Sequence, residues 1–220
     1  MTLRTTLARA LALTLLAAPA AVLAAGGSAQ AATTSGTTSS LQPVSGTVVY
    51  GGTVDLSGQV KAADGSYIGS GSGTVTLQAA PYPFTSWRNV ATASSPTYAD
   101  FYDVKPTITT RYRIVYSGYR SSSNESYTAS TSAVVTVPVA HSFSLKSKGL
   151  HLWGKVAPAA KVKLVFKKKS HGKYKKWFKV KTTKKGKWST HLHGAAGTKV
   201  EIILPATPGY AGAVRTGRII

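Results

Sequence analysis

The sequence predicts an all-β chain of two tandem antiparallel sandwiches, and three observations carry that prediction. Short runs rich in Val, Thr and Tyr alternate with clusters of Gly, Ser, Pro and Asn from Gly46 onward. No stretch shows helical spacing of apolar residues over more than a few positions. An ordered set of short motifs occurs twice, which places a second copy of one domain after the first.

The chain of 220 residues begins with Arg4 and Arg9, an apolar run from Ala10 to Ala25, and Ala29-Gln30-Ala31, which fits the small-x-small rule of signal peptidases. Residues 1–31 therefore read as a secretory signal peptide, because the apolar run falls short of the ~20 residues that a spanning helix needs. Residues 32–45, opening with ATTSGTTSS, are small and polar and read as a Ser/Thr-rich flexible linker. Cysteine is absent, so an exported chain of this kind relies on core burial rather than on disulfides.

The first domain is assigned to residues 46–139. Thr47–Tyr50, Thr53–Val60, Gly73–Ala79, Trp87–Ala93, Ala99–Val104, Thr110–Tyr116 and Ser132–Val137 alternate as strands do, with turns between them. About seven strands in about 100 residues is the spacing of an antiparallel sandwich. The second domain, 141–220, repeats the motifs in order. Val54–Val60 recurs as Leu150–Val156, Val75–Leu77 as Val162–Leu164 and Trp87–Val90 as Trp177–Val180, while Phe101 matches Trp188 and Tyr112–Ile114 matches Val200–Ile202. The second copy lacks the Tyr-Arg pair of the closing Tyr112-Arg113-Ile114-Val115-Tyr116-Ser117-Gly118, which leaves open whether its last strand is complete.

This set, V-x-L-x-G-x-V, then V-x-L, then W-x-x-V and a closing Y-R-x-x-Y-x-G, resembles the tandem bacterial immunoglobulin-like repeats of secreted and cell-surface actinobacterial proteins. The resemblance implies two immunoglobulin-like β-sandwiches that serve as adhesive or spacer modules rather than as catalysts.

Charge separates the two copies. Residues 32–140 carry six Lys/Arg against five acids, whereas residues 141–220 carry nineteen against Glu201 alone, a net +18 within the total of +21. Such asymmetry points to a scaffold half and a half suited to an anionic partner. Neighbouring residues on a strand project to opposite sides. Leu150, Leu152, Gly154 and Val156 are then expected in the core with His151, Trp153 and Lys155 outside. Val162, Leu164 and Phe166 point in while Lys161, Lys163 and Lys167 point out, and Phe178, Val180 and Thr182 oppose Trp177, Lys179 and Lys181. The equivalent outward positions of the first copy, Ser57, Thr76, Asn89 and Ala91, are small or neutral.

A few lysines suffice to guard a strand edge against aggregation, and +18 on about 80 residues far exceeds that need while imposing self-repulsion. The candidate polyanion-binding residues are Lys161, Lys163, Lys167, Lys168, Lys169, Lys173, Lys175, Lys176, Lys179, Lys181, Lys184, Lys185 and Lys187. Trp153 and Trp177 are candidate aromatic contacts, with core packing the better expectation for Trp177. The expected partners are an anionic, teichoic-acid-like cell-wall polymer or another extracellular polyanion. Sequence-indifferent nucleic-acid binding and a ligand-free spacer are the alternatives.

Catalytic motifs are missing. The sequence has no cysteine nucleophile, no glycine-rich phosphate loop leading into a helix and no G-x-S-x-G elbow. Glu201 stands alone in the basic half, where a glycosidase would need two facing carboxyls. His191 and His193 share a strand face that His151 could approach, but two imidazoles in a cationic setting do not make a zinc site. Asn124-Glu125-Ser126 matches the glycosylation acceptor pattern. No catalytic residue, metal or cofactor is expected, and the mature chain is expected outside the cell or on its wall.

Overall fold

The structure is a computed structural model that describes residues 33–42, 44–122, 125–159 and 161–219. The signal-peptide assignment and Asn124 lie outside the described residues. The described part contains strands and no helix, arranged as two tandem β-sandwiches, each with its own apolar cluster.

The first sandwich contains β1 (Thr37–Leu41), β2 (Val54–Ala62), β3 (Val75–Pro81), β4 (Arg88–Ala93), β5 (Ala99–Val104), β6 (Thr110–Tyr116) and β7 (Val135–Val137). One sheet has the order β1-β2-β5 and the other the order β4-β3-β6, with β7 on the far side of β6. Strict alternation puts Leu56, Gly58 and Val60 of β2 against Val75 and Leu77 of β3 and Tyr112, Ile114 and Tyr116 of β6 in one core. Glycine fits closely at position 58, where a Cβ would lie 3.0 Å from Ile114 Cδ1 and 3.2 Å from the Ala99 carbonyl oxygen.

The second sandwich contains β8 (Ser142–Phe143), β9 (Lys146–Lys148), β10 (His151–Ala157), β11 (Lys163–Ser170), β12 (Lys173–Lys181), β13 (Lys187–His191), β14 (Lys199–Leu204) and β15 (Ala213–Arg218). In one sheet β10 pairs with β8 and β9 on one side and with β13 on the other. The facing sheet has the order β12-β11-β14-β15. The repeat is thus carried in topology, with β2, β3, β4 and β6 matched by β10, β11, β12 and β14. A complete last strand is present, because β15 pairs with β14 along its whole length from Lys199↔Arg218 to Leu204↔Ala213.

Aromatic packing fills the second core. Phe166 stacks on Phe178 at 4.7 Å between ring centroids, Phe143 stacks on Trp188 at 5.5 Å, and Phe166 meets Trp188 edge-on. Val156, Leu164, Phe166 and Leu204 are fully buried, each side chain stabilising the fold by roughly 1.5–3 kcal/mol relative to exposure.

Four expectations need correction. The segment read as a flexible linker is strand: β1 pairs antiparallel with β2 from Thr37↔Ala62 to Leu41↔Gly58, and Thr33–Ser35 pairs in parallel with Glu125–Tyr127. Small polar residues looked as if they had nothing to bury, but Ser39 is buried and hydrogen-bonds Ser130 at 2.7 Å, and Leu41 joins the core. Leu150 is 41% exposed, because β10 begins only at His151 and Leu150 sits in the turn before it. Trp188 lies opposite Gly154, as Ala99 lies opposite Gly58, so Ala99 rather than Phe101 is its structural counterpart.

The fourth correction concerns facing. Both β3–β4 and β11–β12 contain a β-bulge, which adds one residue to a strand and inverts its alternation beyond that point. In the first copy Val90 is the extra residue and is exposed, while Ala91 packs on the core instead of facing out. In the second copy the extra residue is Trp177.

The sandwiches meet through backbone pairing. Val139 and Ala140, where the chain leaves the first sandwich, pair in parallel with that sandwich's own Val48 and Val49, and across the junction Ala211 donates to the Val139 carbonyl at 2.8 Å and Thr109 to the Gly209 carbonyl at 2.9 Å. His141 is buried at this junction, stacked on Tyr210 with centroids 4.4 Å apart.

Candidate functional site

Directly paired residues of antiparallel strands share a face, so the register of the β12-β11-β14-β15 sheet assigns every side chain to a side. Leu164 and Phe166 mark the inner face together with Val180, Phe178, Ile202 and Val200. The outer face then receives Lys163, Lys167 and Lys169 from β11. It receives Lys181 and Lys179 from β12 up to the bulge, and Lys176 and Tyr174 beyond it. β14 adds Lys199 and Glu201, and β15 adds Arg218 opposite Lys199.

The bulge creates this face. Without the inversion at Trp177, Lys175 and Lys173 would fall outside and Lys176 inside. As built, Trp177 leaves the outer face and packs on the core, edge-on to Phe178 at 5.0 Å. Its role is core packing, with Lys168 Nζ 5.5 Å from its ring centroid.

Electrostatics on the face is one-sided. Lys167 Nζ lies 3.0 Å from Glu201 Oε1, and this is the only ion pair among the described residues. Lys163 stands directly opposite Lys181, and Lys167 opposite Lys176. Like charges in such cross-strand positions are destabilising. The equivalent face of the first sandwich handles its cations differently. Arg113 stacks over Trp87 at 4.3 Å and donates to Gln78 at 2.9 Å, and Arg111 stacks over Phe84. Those arginines are occupied by their own domain.

The remaining candidate lysines are dispersed. Lys168 and Lys175 pair with each other on the inner side of the hairpin arm, and Lys173 follows on that side opposite Ser170. Lys161 precedes β11, and Lys184 and Lys185 occupy the turn between β12 and β13. Lys187 lies on the other sheet, opposite Lys155. Lys199 and Arg218 are members of the face that a search for lysine density missed; their signal was their position opposite one another in the last hairpin.

Trp153 lies on the outer face of the second sheet, half-buried, opposite Ser189 and beside Lys146. His151 stacks on Trp153 at 5.0 Å and on His191 at 4.5 Å, and its Nε2 bonds Ser189 Oγ at 2.7 Å. No three His, Asp or Glu side chains converge on a common point among the described residues. No helix there is long and apolar enough to cross a membrane.

No family profile matches the chain, and no curated protein matches it. Among solved structures it is similar to a tetra-tandem repeat in the extending region of a large adhesion protein, at 12% identity and a TM-score of 0.31, covering 84% of this chain and 49% of that one. It is also similar to part of a 1.5-MDa bacterial ice-binding adhesin, at 13% identity and a TM-score of 0.30, covering 83% and 63% respectively. A marsupial T cell receptor matches at 10% identity and a TM-score of 0.35, covering 84% and 97%. The chain spans about half the length of the adhesion-protein repeat and under two thirds of the adhesin chain.

Proposed function

We propose that the chain is a secreted, non-enzymatic binding protein whose second sandwich attaches it to an anionic polymer of the cell wall or its surroundings. The observation that supports this most is the directly opposed lysine pairs on one sheet face, Lys163↔Lys181 and Lys167↔Lys176, with Glu201 as the face's only carboxylate. A sheet that places like charges side by side is strained by them in isolation and relieved by a counter-charge. Lysine suits a repetitive phosphate or carboxylate polymer, because an ammonium acts as a point charge without fixed geometry.

The test is fractionation of the secreted protein between medium and cell wall across a salt series. Retention on the wall at low salt with release at moderate salt is expected, since exposed charges are screened within ~10 Å at 0.1 M ionic strength. Retention that ignores salt, or its absence at low salt, overturns the reading.

A further inference from the structure

Beside the flat basic face lies a groove of different character. It is an open depression of about 660 Å³ where the end of β12 passes β13, within the roughly 300–1,000 Å³ typical of small-molecule sites. Trp153 lines it, and so do four lysines from four separate segments, Lys146, Lys155, Lys181 and Lys187. Three hydroxyl residues, Ser144, Thr183 and Ser189, complete its polar lining, and no carboxylate or side-chain amide contributes.

The geometry points to a subsite for one sugar ring of an acidic polysaccharide, with the ring laid on Trp153 and its carboxylate or phosphate held by the surrounding lysines. This rests on the proposed polyanion-binding function and deepens it by naming the class of polymer. His151 stacks on the Trp153 indole but does not line the groove, whereas Trp153 does. A flat aromatic face suits the apolar C–H side of a pyranose. Hydroxyls that both donate and accept suit the ring's own hydroxyls. A nucleobase could stack on the same indole without any edge-reading group, but it would leave Ser144, Thr183 and Ser189 without the ring hydroxyls that a sugar offers them. Lys181 belongs both to the groove and to the basic face, so a chain lying on the face can enter the groove without a break.

The experiment compares three probes at matched ionic strength: polygalacturonate, which has acidic rings; inorganic polyphosphate, which has charge without rings; and oligo-dT, which has charge and bases. Trp153→Ala is expected to weaken polygalacturonate binding about tenfold, the order of one lost aromatic contact, with polyphosphate unchanged and Trp153→Phe recovering most of the loss. Polygalacturonate, unlike polyphosphate, is also expected to perturb the tryptophan fluorescence of the unaltered protein, a readout that does not depend on a variant folding. An unchanged polygalacturonate affinity, an equal loss for polyphosphate, a loss confined to oligo-dT or an absent fluorescence response each overturns the groove assignment while leaving the basic face intact. If the unaltered protein binds none of the three at low salt, the polyanion reading itself fails and takes the groove with it.

Discussion

Glu201 and Lys167 face each other across β14 and β11, with Oε1 and Nζ 3.0 Å apart, and Glu201 is the only carboxylate in the chain after residue 140. The pair therefore neutralises one lysine of the basic face. Glu201→Gln should release Lys167 to a polyanion at small cost, because partly exposed pairs contribute about 0–1 kcal/mol. With duplex DNA as a convenient probe, the log–log salt slope should steepen by about 0.9, one additional phosphate contact. An unchanged slope would mean that Lys167 does not take part.

Opposed like charges make a second prediction that separates folding from binding. Lys163 and Lys181 occupy one cross-strand position and both are exposed. Lys163→Thr removes the repulsion and installs a good strand former, so it should stabilise the fold by about 0.2–1 kcal/mol. The same change should weaken polyanion binding. Lys184→Thr, in the turn, should do neither. Thermal melts and polyphosphate titrations of both variants check this, and a destabilised Lys163→Thr would show that the lysines are not repelling one another.

The strand content and the two-domain repeat were legible in the sequence because alternation and motif order survive in Val54–Val60, Leu150–Val156 and their successors. What escaped was local. A bulge adds one residue without changing composition, so strict alternation puts Trp177 on the side of Lys179 and Lys181, whereas the structure packs it on the core, the better expectation for so large an apolar ring. Ser39 and Leu41 sit in a segment whose small polar residues resemble a tether, and only pairing with Val54–Ala62 shows that they cover a core edge. The groove around Trp153 combines residues from four segments, Lys146, Lys155, Lys181 and Lys187 among them, and no linear spacing announces it.

His141 predicts a pH dependence at the junction of the sandwiches. Its ring is 2% exposed, stacked on Tyr210, with Nε2 bonded to Thr207 Oγ1 at 2.8 Å and Nδ1 buried without a partner among the described residues. Burial pushes its pKa below the ordinary histidine value, against a smaller opposing contribution from the Ala157 backbone. The folded state thus favours the neutral ring. Its stability contribution is complete above the unfolded pKa of about 6.5 and declines as pH falls toward the folded pKa, by at most about 1.4 kcal/mol per pH unit. His141→Phe should flatten that part of the stability–pH curve relative to the unaltered protein. Parallel curves between pH 7 and pH 4 would place the acid sensitivity elsewhere.

Gly209 tests whether the two sandwiches are held as one body. It adopts φ +77°, a conformation that L side chains rarely take, and a Cβ there would lie 2.5 Å from Ile108 Cδ1 and 3.2 Å from Tyr82 Cδ1. Its carbonyl accepts from Thr109 N, so the close approach and the inter-domain hydrogen bond depend on the same residue. Gly209→Ala should therefore cost about 1–3 kcal/mol in backbone strain and in addition push the loop away from Ile108. The two contributions separate by experiment, since Ile108→Ala in the same chain makes room for the new methyl but leaves the strain. The single variant should lower the melting temperature and increase the radius of gyration in solution scattering. The double variant should restore the scattering profile more fully than the melting temperature. A single variant with unaltered scattering would show that the junction does not depend on this contact.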